Sequence, residues 1–456
     1  MASILGPVRT DFWPADLRSE ELSVEFHKIC VLGLGYIGLP TASTFATHGI
    51  QVIGVDVNPG VVETLRNGGL HIQEPGLRTL VQAALGSGRL VIGEAPEPAD
   101  AFIIAVPTPF HEDKRADMRY VVAAAQAIVP CLRAGNLVVL ESTSPPRTTL
   151  DTVAPILERS GLKAGIDFHL AYSPERVLPG QILRELIENA RVIGGIDRAS
   201  ALAGCDLYRV FARGEIRITT ATTAEIVKLM ENTYRDVNIA IANEFARLSD
   251  RFGIDVWEAI SLANLHPRVN ILSPGPGVGG HCIGVDPWFL VEAAPDLTPL
   301  IRAARLVNDS QPGHVAALAR QALNDLPGGF SGRRIAVLGL AYKPDVDDLR
   351  ESPAIEVARL LSEAGARVRA FEPNKPDVQI DRLTTVASLE AALADAELIL
   401  LLVGHTALKA LKPSEVARLT PARRVVDAVN GWPLEDWAAA GFQLHRLGAS
   451  TAQPLV

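Results

Sequence analysis

Cysteine is scarce in this 456-residue chain: Cys30, Cys131, Cys205 and Cys282 lie far apart, with no CxxC pair. That spacing supports neither a zinc site nor a disulfide framework, and it fits a reducing cytosol, so a cytoplasmic location is expected. Long apolar runs are missing too. The first 25 residues carry Arg9, Asp11, Asp16, Arg18, Glu20, Glu21 and Glu25 and hold no signal-peptide core. No later stretch reaches transmembrane length. An excess of basic residues is also lacking: the net charge is −9, which argues against general nucleic-acid binding. An anionic substrate is not excluded, because a few local Arg and Lys side chains hold a phosphate in an acidic protein.

What is present is an ordinary globular composition, 48% hydrophobic and 21% charged. The length exceeds what one core fills, so two or three domains are expected. Lys28 to Leu32 reads as a short strand. It runs into Gly33-Leu34-Gly35-Tyr36-Ile37-Gly38, a helical pattern follows to about His48, and Gln51 to Val55 is a second strand ending at Asp56. Strand, GxGxxG, helix, strand and acidic residue form the dinucleotide fingerprint in its proper order. Gly33 makes the tight turn, Gly35 lets the backbone reach a pyrophosphate, and Gly38 lets helix and strand pack closely. Tyr36 and Ile37 belong to the same cofactor-binding turn. Asp56 would bind the adenosine ribose hydroxyls and repel a 2′-phosphate, which favours NAD over NADP.

Ala101 to Val106 and Leu137 to Leu140 are further strands, ending in Pro107-Thr108-Pro109 and Glu141-Ser142-Thr143-Ser144-Pro145. Ligands of open parallel sheets sit beyond the carboxyl ends of strands. Thr108 and Thr143 are therefore candidates to face the nicotinamide half, or else caps of the next helices. Leu170 to Ser173, another strand, leads into Pro174-Glu175-Arg176-Val177-Leu178-Pro179-Gly180. Glu175 either reaches a site from there or is a solvated loop acid.

Thr222 to Phe252 reads as one long helix, about 45 Å at the usual rise, with Thr222 and Glu225 as a capping box. Ile226, Met230, Tyr234, Val237, Ile241, Phe245, Leu248 and Phe252 recur in steps of three and four. Such a helix crosses between domains or forms a dimer spine. Lys228 and Asn232 lie four apart on a different face, where a lysine is ordinarily a solvated surface group. Arg268 follows a proline and faces either phosphate or solvent.

The stretch Gly275 to Phe289, GPGVGGHCIGVDPWF, places Cys282 after a glycine-rich bend and Asp286 four residues later. Pro287 and the apolar run behind it fit the first turn of a helix. A helix starting near Cys282 would favour its thiolate and put Cys282 and Asp286 on one face. The alternative is a buried structural cysteine beside a tight loop. After Leu326 to Ser331 the chain repeats its opening: strand Arg334 to Leu338, helix Glu356 to Ala364, and strand Ala366 to Phe371 closing on Glu372. Glu397 to Val403 and Arg424 to Ala428 parallel the earlier strands. Two of the three fingerprint glycines are missing here, so no second NAD is expected. Lys343 and Arg350, in YKPDVDDLRESP, bind a different phosphate-bearing nucleotide or pair with Asp345, Asp347 and Asp348.

Together these pieces resemble the UDP-glucose/GDP-mannose dehydrogenase family. The resemblance runs from about Lys28 to Trp432 and rests on GLGYIGLP, ESTSPP, SPERVLPG, AEIVKLMENTYRDVN, GVGGHCIGVDP and LAYKPDVDDLRESP. It implies oxidation of the C6 alcohol of a nucleotide sugar to a carboxylate, with two NAD, in polysaccharide biosynthesis. Val285 stands where the glucose and GDP-mannose branches usually carry lysine, and Pro179 where they often carry a second glutamate. Both departures match enzymes of N-acetylated UDP-sugars. Gly284 favours the UDP-N-acetylmannosamine branch over the UDP-N-acetylglucosamine one.

The resemblance also implies the roles. Cys282 holds the sugar as a thiohemiacetal and then a thioester. Asp286 acts as base through water, and Glu175 activates the water that hydrolyses the thioester. Lys228 and Asn232 stabilise the C6 oxygen, and Thr143 helps hold water or nicotinamide. Arg176, Gly279, Lys343 and Arg268 contact the UDP-sugar, Arg268 from a neighbouring subunit of a homodimer, and Arg350 approaches NAD. The expected fold is α/β, with two Rossmann-like doubly wound parallel-sheet domains joined by a long central helix and a helical middle region. The expected segments are an N-terminal tail (1–27), an NAD domain (28–215), a central dimerisation and cysteine domain (216–325) and a UDP-sugar domain (326–456). Competing readings are a two-electron hydroxyacid dehydrogenase, which needs no thiol, and a non-catalytic NAD or nucleotide-sugar regulator.

Overall fold

Apolar runs of four or five residues, each ended by glycine or a polar turn, become the strands of two sheets. In the computed structural model, residues 24–111, 113–280 and 282–449 are described. The chain divides into two compact units, 1–231 and 232–456.

The first unit carries β1 (Lys28–Leu32), β2 (Gln51–Val55), β3 (Leu90–Gly93), β4 (Ala101–Ile104), β5 (Leu137–Leu140), β6 (His169–Tyr172), β7 (Arg191–Gly195) and β8 (Ile216–Thr220). Their order is β3-β2-β1-β4-β5-β6-β7-β8. All neighbours are parallel except β6 and β7, where Ala171 opposes Gly195. Both faces are buried: Ile29 and Val31 join one apolar cluster, Cys30 and Leu32 the other. That explains why these strands read as continuous apolar runs. The strand order reverses between β1 and β4, which opens a ligand crevice at their carboxyl ends. The sheet includes β8, so it extends five residues beyond the boundary expected at 215.

The long helix is observed at Ala221–Phe252, but the expected capping box is not. Thr220 Oγ1 accepts from Thr223 N–H at 3.2 Å instead. Glu225 is fully buried and takes three donors from another loop: Arg147 N–H (2.5 Å), Thr149 N–H (2.8 Å) and Thr149 Oγ1 (2.6 Å). Three tertiary bonds to a buried carboxylate outcompete one local cap. Of the apolar stripe, Met230, Tyr234, Ile241, Phe245, Leu248 and Phe252 are exposed, Tyr234 by 72%.

The second unit carries β9 (Arg334–Leu338), β10 (Arg367–Phe371), β11 (Thr384–Thr385), β12 (Leu398–Leu401), β13 (Arg424–Asp427) and β14 (Gln443–Arg446). Their order, β11-β10-β9-β12-β13-β14, repeats β3-β2-β1-β4-β5-β6 of the first sheet, and every pair is parallel. Ile335, Val337, Leu398 and Leu400 pack on one face. Ala336, Leu338, Ile399 and Leu401 pack on the other, which is closed by Trp432 stacked on Trp437 at 4.0 Å. Among the described residues, no helix is long and apolar enough to cross a membrane.

Candidate active site

In the first unit the crevice begins at the fingerprint turn. Gly33 has φ +93° and donates its N–H to Val55 O at 2.8 Å. A Cβ on Gly38 would lie 1.8 Å from Gly33 O, so no larger residue lets this helix start against its strand. A Cβ on Gly35 would meet nothing within 4 Å. Tyr36 and Ile37 are half-buried beside that open space. Asp56 ends β2 and holds the turn from below: its Oδ2 accepts from Leu34 N–H and its Oδ1 from Asn58 N–H, both at 2.9 Å.

Thr108 and Thr143 are half-buried just past β4 and β5. Neither caps a helix, because the next helical segments begin after Met118 and Thr148. The two strand ends are tied by Ser142, whose Oγ accepts from Val106 N–H (2.9 Å) and donates to Val106 O (2.8 Å).

Glu175 is not a solvated loop acid. Its side chain is 9% exposed and lies 3.5 Å from Arg191 Nη2, and its Oε1 accepts from Arg176 N–H at 2.6 Å. Arg191 is itself buried and stands 3.8 Å from Glu141, whose Oε1 accepts from Tyr208 Oη at 2.6 Å. Burial, reinforced by the Glu175 charge and opposed by Arg191, pushes Glu141 up to about 7. The Glu175 loop is pinned by buried Glu74, which accepts from Gly180 and Ile182 N–H, both at 2.8 Å. Arg176 is engaged by Glu231 at 2.5 Å and Ala190 O at 3.0 Å, so its guanidinium is held inside the unit. Lys228 is 7% exposed, which removes the surface-lysine reading.

In the second unit the helix after the cysteine loop runs Asp286–Ala293, with Pro287 in its first turn. The expectation of a helix starting near Cys282 is corrected by one turn. Residues 282–285 form a lead-in turn, in which Val285 and Asp286 N–H donate to Cys282 O at 3.0 and 2.8 Å. Cys282 is the exposed thiol of the four. Burial pushes Cys30 up to about 12 and raises Cys205, which keeps both as neutral thiols. Asp286 is buried, and its Oδ2 accepts from Asn232 Nδ2 at 2.5 Å.

The glycines before Cys282 dock on the second sheet's first turn. A Cβ on Gly279 would lie 2.3 Å from Glu351 O and 2.7 Å from Pro353 Cδ, and one on Gly280 would meet the Tyr342 ring at 2.8 Å. Gly280 N–H donates to Arg350 O at 3.1 Å. Beside this contact is a cavity of about 200 Å³, lined by Pro276, Gly277, Lys343, Gly404 and Lys409 among others. Arg350 takes the ion-pair reading: its Nε and Nη2 donate to Asp348 at 2.8 and 2.6 Å. Asp345 instead receives Thr406 N–H and Oγ1. Arg268 is exposed. Glu372 occupies the place of Asp56 but is enclosed. It accepts from Leu340 and Ala341 N–H at 2.7 and 2.9 Å and contacts His405 Nε2 at 3.1 Å. Asp345 N–H donates to His405 Nδ1, so Nε2 carries the proton given to Glu372.

Three family models cover this order of parts. They are the NAD binding domain (residues 27–212), the central domain (222–310) and the UDP binding domain (336–433) of the UDP-glucose/GDP-mannose dehydrogenase family. The chain belongs to that family. It is an NAD-dependent nucleotide-sugar dehydrogenase. A UDP-N-acetyl-D-mannosamine dehydrogenase of Methanococcus maripaludis is 46% identical over 431 residues, 93% of this chain and 97% of the relative. An NDP-N-acetyl-D-galactosaminuronic acid dehydrogenase of Ralstonia solanacearum is also 46% identical, over 92% of this chain and 99% of the relative. The solved UDP-D-ManNAc dehydrogenase of Pyrococcus horikoshii has a TM-score of 0.86 at 39% identity, covering 93% of this chain and 100% of that one. In the family's NAD-binding domain, the open space at Gly35, the tight turn at Gly33 and the acid ending β2 fit a dinucleotide pyrophosphate and ribose.

Sequence reading missed Glu141, Arg191, Tyr208 and Glu74. The signal for Glu141 was its place at the end of β5, inside ESTSPP. Arg191, Tyr208 and Glu74 carry no motif.

Proposed function

We propose that this dehydrogenase oxidises the C6 alcohol of UDP-N-acetyl-D-mannosamine to the carboxylate, giving UDP-N-acetyl-D-mannosaminuronate. The observation that carries the reading is the cysteine loop: an exposed Cys282 thiol one turn ahead of the buried Asp286–Asn232 pair, on glycines docked against Tyr342. The UDP-N-acetyl-D-mannosamine dehydrogenases among the relatives support that sugar, and Val285 and Pro179 support an N-acetylated one. NAD, when bound, accepts a hydride at each of two oxidations.

Asp286, through a water, takes the alcohol proton as the first hydride leaves C6, and Asn232 fixes the orientation of that carboxylate. The Cys282 thiolate adds to the aldehyde carbon and the oxygen takes back the proton held at Asp286, so the intermediate stays bound as a thiohemiacetal. Loss of the second hydride and the hydroxyl proton leaves a thioester. Glu175 takes a proton from water as the hydroxide adds, and the thiolate leaves with the C–S electron pair. Lys228, a buried ammonium on the long helix, offsets the negative charge that builds on the C6 oxygen. Thr108 and Thr143 line the nicotinamide end of the crevice.

Lys343 and Arg268 hold the diphosphate, Arg268 from a second copy of the chain, and Arg176 and Gly279 shape the sugar end. Arg350 contributes towards NAD once it releases Asp348. The exposed apolar stripe of Ala221–Phe252 supports a homodimer built on that helix. The composition supports a cytoplasmic enzyme. The Ralstonia relative, equally similar, favours a second reading with N-acetylgalactosamine as the sugar. The test is kcat/KM for the UDP derivatives of N-acetylmannosamine, N-acetylgalactosamine, N-acetylglucosamine and glucose. Preference for the first supports the proposal, and preference for another replaces the sugar.

A further inference from the structure

Arg191, Glu141 and Tyr208 are left over by this chemistry, and they are buried together beside Glu175. Glu141 comes from the end of β5, Tyr208 from helix Arg198–Tyr208, and Glu175 from the loop after β6. All meet one guanidinium from β7. Arg191 lies 3.8 Å from Glu141, 3.5 Å from Glu175 and 3.2 Å from Ser173 Oγ, and its guanidinium carbon sits 4.3 Å over the Tyr208 ring. Two carboxyl groups therefore share one largely buried cation. Glu141 Oε1 has the Tyr208 hydroxyl, but Glu141 Oε2 is buried with no hydrogen-bond partner. A buried carboxylate oxygen without a donor is costly as an anion and acceptable as a neutral acid. Glu175 is the better supplied of the two, with Arg176 N–H on one oxygen and Arg191 near the other.

We infer that Arg191 and Glu141 are positioning residues for Glu175: Glu141 carries the single proton of the pair, which leaves the Arg191 charge to hold Glu175 as the ionised base. The upward displacement of Glu141 to about 7 agrees with that distribution. Glu175 then accepts a proton from water without competing with a second anion for its cation. The kinetic consequence rests on the proposed role of Glu175 in hydrolysis, whereas the location of the proton does not.

The test has two arms. The first is an infrared pH titration of the ligand-free protein. A protonated-carboxyl band is expected to be lost as pH rises through the neutral range and to be missing from Glu141→Gln. No such band in the unaltered protein, or an unchanged band in Glu141→Gln, overturns the inference. The second arm is the pH profile of kcat. Arg191→Met leaves the Glu175 carboxylate without its cation, so the acid limb is expected to move up by roughly one pH unit, about a tenfold loss of rate on that limb. Glu141→Gln added to Arg191→Met is expected to leave the limb where Arg191→Met puts it, since the proton-bearing Glu141 was already neutral. An acid limb of Arg191→Met that coincides with that of the unaltered enzyme shows a merely structural arginine, and a limb that returns in the double variant shows an ionised Glu141; either result overturns the assignment. If Arg191→Met does not fold, Tyr208→Phe serves instead. It removes the donor to Glu141 and is expected to raise the pH at which the band is lost. An unmoved band counts against the inference. A Glu175→Gln protein with full hydrolysis rate would refute the role of Glu175 alone, and the infrared arm would still locate the proton.

Discussion

Replacing Gly279 by alanine tests whether the cysteine loop works only when docked on the second sheet. The added Cβ would sit 2.3 Å from Glu351 O, 2.7 Å from Pro353 Cδ and 3.0 Å from Tyr342 Cβ. The first two obstacles are main chain and a proline ring, so neither can rotate aside. Overpacking against movable side chains costs about 1–3 kcal/mol, and a rigid obstacle belongs at the upper end, roughly 3 kcal/mol. At about 1.4 kcal/mol per factor of ten, the ratio of docked to lifted loop falls by roughly a hundredfold. The GxGxxG turn lies in the other unit, so NAD binding is expected to be unaffected. The assays are kcat by NADH absorbance and the NAD Kd by calorimetry. A kcat at least tenfold lower with an unchanged Kd is expected. A kcat within twofold of the unaltered enzyme, with the protein intact, refutes the reasoning.

The second and third fingerprint glycines separate binding from folding. Gly35→Ala meets no atom within 4 Å, so Tm is expected to hold while the NAD Kd rises; Gly38→Ala puts a Cβ 1.8 Å from Gly33 O and is expected to lower Tm sharply. Glu141→Gln is expected to change the pH dependence of stability. The raised Glu141 pKa means that the folded state binds the proton more tightly than the unfolded state. Its stabilising effect is complete below about 4.5 and is lost as pH rises to about 7. That loss is roughly 3 kcal/mol and is absent from the glutamine variant. Hydrogen exchange of Leu137–Leu140 and Arg191–Gly195 peptides at pH 5.5 and 8.5, corrected for intrinsic rates, reads it, and identical pH trends in both proteins count against it. Tyr234→Glu and Phe245→Glu charge the exposed stripe of the long helix. Sedimentation is expected to show monomers for them and dimers for the unaltered chain.

The strands that form the middle of each sheet are legible because both faces are buried, as in Lys28–Leu32 and Arg334–Leu338. Edge strands are not. Leu90–Gly93 is four residues with Val91 exposed, and Gln443–Arg446 holds a single apolar residue, Leu444. The long helix is legible to within a residue, but its start is misread, since the partners that draw Glu225 inwards lie 76 and 78 residues away. Cys282, Asp286, Asn232 and Glu175 are legible as candidates from motif order. The company kept by Glu175 is not, because Glu141, Arg191 and Tyr208 meet only through the folding of three separate elements. The same limit explains Arg350, whose choice of Asp348 among three nearby aspartates depends on loop geometry.

The proposed chemistry removes four electrons from one sugar through Cys282. Its most direct measurement is the number of NADH formed per UDP-N-acetylmannosamine consumed, with sugar limiting and NAD in excess, for the unaltered enzyme and for Cys282→Ser. The account predicts two NADH per sugar for the first, and no carboxylate product from the second. One NADH per sugar from the unaltered enzyme, or two from the serine variant at the same rate, would contradict it.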